Sequence, residues 1–198
     1  MPEFIGDLPL HALVNHFVVV LLPLAVAGAV LVAIWPWARR RFGWLTALVA
    51  AAGAALVPVA TDSGTKLKDG LASISPDLGN NPLVNRHEEL ADLMLWWALG
   101  LVAALGVLMI VHTLGARRAQ APDIDSEAAP DTMSDAEGGG VATATRRATG
   151  QTVLLVVAAL VTVGVAVGTG IHVYRVGDAG ARAVWLDVGQ NIKQQQGN

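Results

Sequence analysis

The sequence contains no cysteine. This absence excludes disulfides, thiolate zinc sites, Cys-ligated iron–sulfur clusters and a cysteine nucleophile. Charge is also scarce, since 15% of the residues are charged, against roughly a quarter in an ordinary soluble domain. With 54% hydrophobic residues and a mean hydropathy of +0.52, the chain is neither a typical soluble enzyme nor a disordered protein. A net charge of −3 offers no basic surface for nucleic acid.

Four long uncharged runs organise the 198 residues. Each approaches the roughly 20 apolar residues that a helix needs to cross a bilayer, and together they cover residues 17–37, 42–61, 93–114 and 151–174. The sequence therefore predicts an all-α, antiparallel four-helix transmembrane bundle. The N-terminus lacks the positive region of a signal peptide, so the first run is predicted to be a retained helix.

The runs divide the chain into four parts. Residues 1–118 are predicted to hold the first three transmembrane helices, with an outer loop over 62–92. Residues 119–150 form an acidic linker, predicted to be disordered and cytoplasmic, because residues 119–140 carry six acidic and no basic side chains. The fourth transmembrane helix covers 151–176, and an extracytoplasmic tail covers 177–198.

The outer loop carries its own local signals. Asp62 and Ser63 favour a turn or a helix cap directly after the second span. A short amphipathic helix is predicted over residues 65–72, and the Asn-Asn-Pro sequence ending at Pro82 is predicted to break it.

Arginine clusters predict the orientation. Such clusters remain in the cytoplasm, and they flank all four spans, at Arg39, Arg40, Arg41, Arg117, Arg118, Arg146 and Arg147. The chain is therefore predicted to be a multi-pass protein of the cell membrane with both termini extracytoplasmic. No ionisable side chain falls in the middle of any span, which disfavours a proton-coupled carrier or channel.

Four of the five histidines share one depth on this topology. His11 and His16 open the first helix, His87 precedes the third by about one turn, and His172 ends the fourth, whereas His112 alone lies at the inner side. Helical periodicity turns His16 and His172 toward the bundle. They are therefore the first candidates for ligands, followed by His87 and then His11.

Two kinds of cofactor fit this clustering. Two opposed histidines from different helices can hold a b-type haem, and Arg175, three residues after His172, is the candidate partner for its propionates. The alternative is a divalent metal held by His16, His87 and His172 with Glu88 or Glu89. Thr61 or Asp62 would then orient a ligating histidine. A purely structural hydrogen-bonding role for the histidines stays open beside both.

Five short motifs carry a resemblance to a known family. The family is an uncharacterised group of small bacterial four-helix membrane proteins, described as a domain of unknown function and common in actinobacteria. The motifs are Leu8-Pro9-Leu10-His11, Asn15-His16-Phe17, Thr61-Asp62-Ser63-Gly64, Arg86-His87-Glu88 and Gly168-Thr169-Gly170-Ile171-His172. The chain departs from the family pattern at Ala12, where proline often follows the first histidine.

The resemblance implies an integral membrane protein of unassigned activity. Some relatives are joined to a Rieske iron–sulfur domain, which implies redox work with a membrane partner such as a Rieske protein or a cytochrome. This chain cannot carry a Rieske centre itself, because that centre needs two cysteines.

The sequence is therefore compatible with three functions. The leading one is a redox-associated membrane protein with a b-type haem or a metal near its outer face. The second is a non-catalytic accessory or scaffold subunit of a membrane complex, and the third is a small carrier or channel, which the uncharged midplane disfavours. No catalytic residue is identified, and the expected partners are the lipid bilayer and a redox protein, with no nucleic acid.

Overall fold

The structure is a computed structural model, and it describes residues 4–6, 8–79, 81–119 and 139–196. Within these residues, two short antiparallel strands precede five helices. The strands are β1 (Phe4–Ile5) and β2 (Leu8–Pro9). The helices are α1 (Leu10–Ile34), α2 (Pro36–Ile74), α3 (Pro76–Gly79), α4 (Pro82–Ala119) and α5 (Gly139–Gln196).

Four of the described helices are long and apolar enough to cross a membrane. These segments are Leu10–Ile34, Pro36–Ile74, Pro82–Arg117 and Thr149–Trp185, and each contains most or all of one predicted apolar run. The predicted all-α four-helix bundle is confirmed.

The joint between α1 and α2 is sharp because of a proline and an arginine. Pro36 restrains Trp35 to an extended conformation. Helix α1 therefore ends at Ile34, and α2 begins at Pro36, with Trp35 as the single residue between them. The Arg39 side chain, 5% exposed, turns back and donates from Nε to the carbonyl of Val32 at 2.9 Å. A second guanidinium nitrogen donates to the carbonyl of Ala33. Arg39 thus satisfies carbonyls that the end of α1 leaves without helical partners.

The turn predicted at Asp62 and Ser63 is wrong, because α2 continues through both residues to Ile74. The polar side chains bond within the helix instead of ending it. Ser63 Oγ donates to the carbonyl of Ala60 at 3.0 Å, and Lys66 forms an ion pair with Asp62 at 2.8 Å. The short helix predicted over residues 65–72 is the last part of α2, and it ends at Ile74, before Pro76 and not at the Asn-Asn-Pro sequence. Helix α4 begins at Pro82, where Asn81 Oδ1 accepts from the backbone N–H of Leu83 at 2.9 Å.

The predicted linker falls mainly outside the described residues, which stop at 119 and resume at 139. From Gly139 onward the chain is helical, so α5 includes residues 139–150 as well as the fourth span. It continues to Gln196 and takes in most of the segment that the sequence assigned to a tail.

The helices pack in a ring. Helix α1 lies mainly against α2, and α4 lies mainly against α5; α2 then contacts α4, and α1 contacts α5, so that α1 and α4 are diagonal partners. The interior is built from small and branched apolar residues, including Leu22, Ala25, Ala29, Val32, Ala98, Leu101, Leu105 and Leu108. Small residues permit the close helix contacts that association in lipid requires.

The bundle has two chemically different ends. The histidine end, defined by His11, His87 and His172, lies where α1 and α4 begin and α2 and α5 emerge. The arginine end, defined by Arg39, Arg40 and Arg41, lies at the α1–α2 joint. Between the two ends, large apolar side chains such as Leu24, Leu48 and Leu160 face outward, as expected for surfaces in contact with lipid.

Candidate functional site

A cavity of about 880 Å³ lies at the histidine end, where α1, α2, α4 and α5 meet. Its walls are mainly apolar and draw on all four helices, through side chains such as Val18, Val57, Leu71, Met94, Val173 and Val176. Cavities that hold small molecules or cofactors measure roughly 300–1,000 Å³ and are lined in the same way. The cavity is therefore large enough for a cofactor.

A few polar side chains also line the cavity. They are His11, Asn15, His16, Thr61, Lys68, Asn81, His87 and Glu88. Three of the four histidines predicted to share one depth thus meet at one cavity.

His11 is held against α2 by its Nδ1 atom. That atom lies 2.9 Å from the carbonyl oxygen of Ala60, and because a carbonyl can only accept, Nδ1 carries the proton. The ring rests on Gly64, where a Cβ atom would come within 3.0 Å of ring atoms Cε1 and Nδ1. In the neutral imidazole, Nε2 then holds the lone pair that a ligand can use.

His87 is held against α5 in the same way. Its Nδ1 atom donates to the carbonyl of Val176 at 2.9 Å, and a Cβ atom at Gly180 would come within 3.0 Å of the ring. The centres of the His11 and His87 rings lie 6.4 Å apart, with ring planes at 82°. Two imidazoles from diagonal helices therefore meet, each with Nε2 left for a ligand.

His16 is more loosely placed. It is exposed, and its Nδ1 atom donates to the carbonyl of Ala12 in its own helix at 2.5 Å. It lines the cavity, but it is fixed by no contact with another helix comparable to those of His11 and His87.

His172 faces α4, as its helical position predicts, but it does not line the cavity. Only 6% of its surface is exposed, and its ring stacks on Trp97 with centres 5.9 Å apart. Its Nε2 atom donates to the carbonyl of Leu90 at 2.9 Å. The proton therefore lies on Nε2 in His172, whereas it lies on Nδ1 in His11. Arg175 is exposed and also lies outside the cavity lining.

Thr61 and Asp62, predicted to orient a histidine, bond elsewhere. Thr61 lines the cavity, but its hydroxyl donates to the carbonyl of Val57 at 2.9 Å. Asp62 is exposed and pairs with Lys66. The group that orients His11 is the backbone carbonyl of Ala60, one residue earlier than Thr61.

One ion pair crosses the cavity wall. Lys68 of α2 lies 2.5 Å from Glu88 of α4, with side chains 24% and 33% exposed. Glu89, the other predicted acidic ligand, is exposed and pairs with Arg86 at 3.1 Å. Across the described ranges, no three His, Asp or Glu side chains converge closely enough to hold a metal ion together.

Over residues 7–134, the sequence matches a family described as a predicted membrane protein, DUF2231. The chain belongs to the DUF2231 family. The resemblance to a domain of unknown function is thereby confirmed. No curated protein and no solved structure matches the chain.

The DUF2231 match includes most of the cavity. It covers α1, α2 and α4, and with them His11, His16 and His87. It ends before α5, which supplies the carbonyl of Val176 and the glycine at position 180.

Several features of this DUF2231 site could not be found from side-chain chemistry. The carbonyls of Ala60 and Val176 orient the rings of His11 and His87. Because every residue has a backbone carbonyl, the sequence does not show which ones act as acceptors. The signal that could have been used is the spacing, since a glycine follows each of these residues by four positions, at Gly64 and Gly180. Such a glycine leaves room for a ring on the helix surface beside the carbonyl.

Proposed function

We propose that this membrane protein binds a b-type haem in the cavity at its histidine end and takes part in electron transfer. The observation that supports the proposal is the hydrogen bonding of two cavity histidines. In His11 and His87, Nδ1 donates to a backbone carbonyl of another helix, which in the neutral ring leaves the lone pair on Nε2. Ligating histidines in metalloproteins have this same arrangement, in which the carbonyl fixes the ring and raises its basicity.

The number of available ligands favours haem over a free metal ion. A structural zinc ion takes four protein ligands and a catalytic one takes three, and the described residues contain no such group. A haem iron is already held by its porphyrin and needs only one or two axial ligands from the protein. The cavity, with few histidines and mainly apolar walls, suits the second case.

Different residues of the cavity would contact different parts of a haem. The histidine Nε2 atoms would bind the iron, and the valine and methionine walls would keep water away from it. Lys68, which lines the cavity, is the cation within reach of a propionate, although it would have to share its charge with Glu88. A bound haem would supply one-electron chemistry at this end of the bundle.

The proposal extends to orientation and partner. The arginine clusters favour a cytoplasmic location for the arginine end, and the histidine end faces outward in the proposed arrangement. A partner on that side, such as a Rieske protein or a cytochrome, would exchange electrons with the cofactor.

The test is an absorbance spectrum of the full-length protein, expressed with a haem precursor and purified in detergent, together with metal analysis. We expect a Soret band and bound iron, with sharper visible bands after reduction by dithionite. His112→Ala, at the opposite end of the bundle, should leave the spectrum unchanged. A purified, folded protein with neither a Soret band nor bound metal would refute the proposal, and bound zinc or copper without haem would replace it with a metal site.

A further inference from the structure

The surroundings of His11 and His87 are the same in outline. Each ring lies near the start of a helix, donates from Nδ1 to a carbonyl of the following long helix, and rests on a glycine four residues beyond that carbonyl. His87 follows His11 by 76 positions, and Val176 and Gly180 follow Ala60 and Gly64 by 116 positions.

The same two displacements relate contacts deeper in the bundle. Gly28 of α1 faces the side chain of Thr46 in α2. In the second pair of helices, Thr162 Oγ1 lies 3.3 Å from the carbonyl of Ala104. Ala104 stands 76 positions after Gly28, and Thr162 stands 116 positions after Thr46.

A third pair of contacts is related by the same displacements of 76 and 116 positions. Gly53 of α2 packs on Leu21 and Leu22 of α1. The residues displaced from Gly53 and Leu21 by 116 and 76 positions are Thr169 and Trp97, and Thr169 Oγ1 lies 3.3 Å from the carbonyl of Trp97. Three levels of the bundle therefore repeat.

Burial repeats in the same register. Six of the eight buried positions of α1 have buried counterparts 76 positions later in α4, namely Val18, Leu22, Ala25, Ala29, Val32 and Ala33 with Met94, Ala98, Leu101, Leu105, Leu108 and Met109. The other two, Leu10 and Val14, correspond to the exposed Arg86 and the partly buried Leu90. Diagonal helices that present equivalent faces to the interior are what a two-fold axis along the bundle produces.

We propose that the chain consists of two equivalent helical hairpins, α1–α2 and α4–α5, related by an internal two-fold axis, and that one ligand binds on this axis between His11 and His87. This inference rests on the proposed function and names its ligands. The ligand class is a planar macrocycle whose central metal accepts one imidazole on each face.

The separation of the rings agrees with this assignment. A metal bound to two imidazole nitrogens at about 2.0–2.1 Å from each sets the ring centres roughly 6 Å apart. The observed separation of the His11 and His87 ring centres is 6.4 Å.

The other two histidines break the symmetry. The position equivalent to His16 is Asp92, and the position equivalent to His172 is Leu56. Neither histidine has a counterpart that could supply the opposite face of a ligand. His16 and His172 are therefore assigned no axial role, although helical periodicity alone favoured them.

The ligand test is a titration of the purified full-length protein with hemin. We expect wild type to give a six-coordinate, low-spin spectrum. His11→Ala and His87→Ala should each lose it and weaken binding at least tenfold, to a similar extent, whereas His16→Ala should retain both properties. Loss of the low-spin spectrum in His16→Ala but not in His87→Ala would overturn the axial pair while leaving haem binding intact. No binding by wild type would instead refute the proposed function.

A second measurement tests the two-fold relation without any ligand. In ¹⁵N-histidine NMR spectra of the detergent-solubilised protein, recorded at alkaline pH where imidazoles are neutral, His11 and His87 should both carry their proton on Nδ1. Gly64→Ala should shift His11 away from this form, and Gly180→Ala should shift His87 to a similar degree, because each new Cβ would push a ring from its carbonyl.

The matched controls are Gly70→Ala in α2 and Gly177→Ala in α5, where a Cβ meets nothing within 4 Å. Neither control should change the two histidine signals. A change at His11 in Gly64→Ala with none at His87 in Gly180→Ala would overturn the equivalence of the hairpins.

Discussion

At the scale of single residues, the direction in which each imidazole donates its proton separates the histidines. His11 and His87 donate from Nδ1 to a carbonyl, whereas His172 donates from Nε2 and is covered by Trp97. A ring bonded through Nδ1 can still bind a ligand through the more accessible Nε2. The contacts of His172 instead make it a packing residue between α4 and α5.

His172→Leu should therefore leave the cavity and the proposed haem binding unchanged. Leu56 occupies the equivalent position of the first hairpin, so the fold accommodates leucine there. The lost hydrogen bond should cost about 0.6 kcal/mol, the average for polar contacts between membrane helices. Thermal unfolding in detergent would measure this loss, and a hemin titration should match wild type. Loss of haem binding in a stably folded His172→Leu protein would return this residue to the site.

Residue type and helical periodicity predicted part of this arrangement. The histidines at one depth were visible, and so was the inward face of His172. The hydrogen bonds of His11 and His87 could not be predicted, because His87 was taken to precede the third helix and because a backbone carbonyl acceptor cannot be recognised in a sequence. In the structure α4 begins at Pro82 and α1 at Leu10, and both rings are fixed by carbonyls of other helices.

At the scale of the helices, the α1–α2 joint depends on one buried cation. Arg39 was interpreted from the sequence only as part of a cytoplasmic cluster. In the structure its guanidinium group satisfies two carbonyls near the C-terminus of α1, a position where positive charge is also favourable to the helix dipole.

Arg39→Met should destabilise the protein by about 1–3 kcal/mol, because methionine keeps the bulk but leaves the carbonyls of Val32 and Ala33 without their donor. Arg40→Met is the matched control, since Arg40 is exposed and surface changes of this kind stay within about 0.5 kcal/mol. Thermal unfolding followed by circular dichroism would compare the two variants. Equal stability of both would show that the hydrogen bonds of Arg39 contribute nothing.

Helix number was predictable, but helix ends outside the apolar runs were less so. Apolar runs of membrane length predicted four spans, and four of the described helices are long and apolar enough to cross a membrane. The turn predicted at Asp62 is wrong because a Ser or Thr side chain inside a helix can donate to a carbonyl of the preceding turn, and an Asp side chain there can point outward. Ser63 bonds back to Ala60 and Asp62 pairs with Lys66, so α2 continues.

At the scale of the whole molecule, the proposed orientation has a direct test. Both termini and the segment joining α2 to α4 should lie outside, and the segment joining α4 to α5 should lie in the cytoplasm. Alkaline phosphatase fused after residue 198 should be active, whereas a fusion after Arg117 should be inactive. A fluorescent protein that folds only in the cytoplasm should give the reverse pattern. Opposite results at both sites would invert the orientation while leaving the contacts at the histidine end unchanged.

The two helical hairpins both contribute to the cavity. His11 and its carbonyl partner belong to one hairpin, and His87 with its partner belongs to the other. A ligand held by both rings would act as a noncovalent cross-link, and it would favour the docked hairpins over any state in which they separate.

Ligand concentration should therefore control how firmly the halves stay together. With free hemin at 100 times its dissociation constant, the stabilisation should be about 2.7 kcal/mol, provided that the unfolded chain binds none. A rise in the unfolding temperature of wild type with hemin, and a smaller rise in His87→Ala at the same hemin concentration, would measure this effect. A ligand bound between His11 and His87 would thus make the association of the two hairpins depend on its concentration.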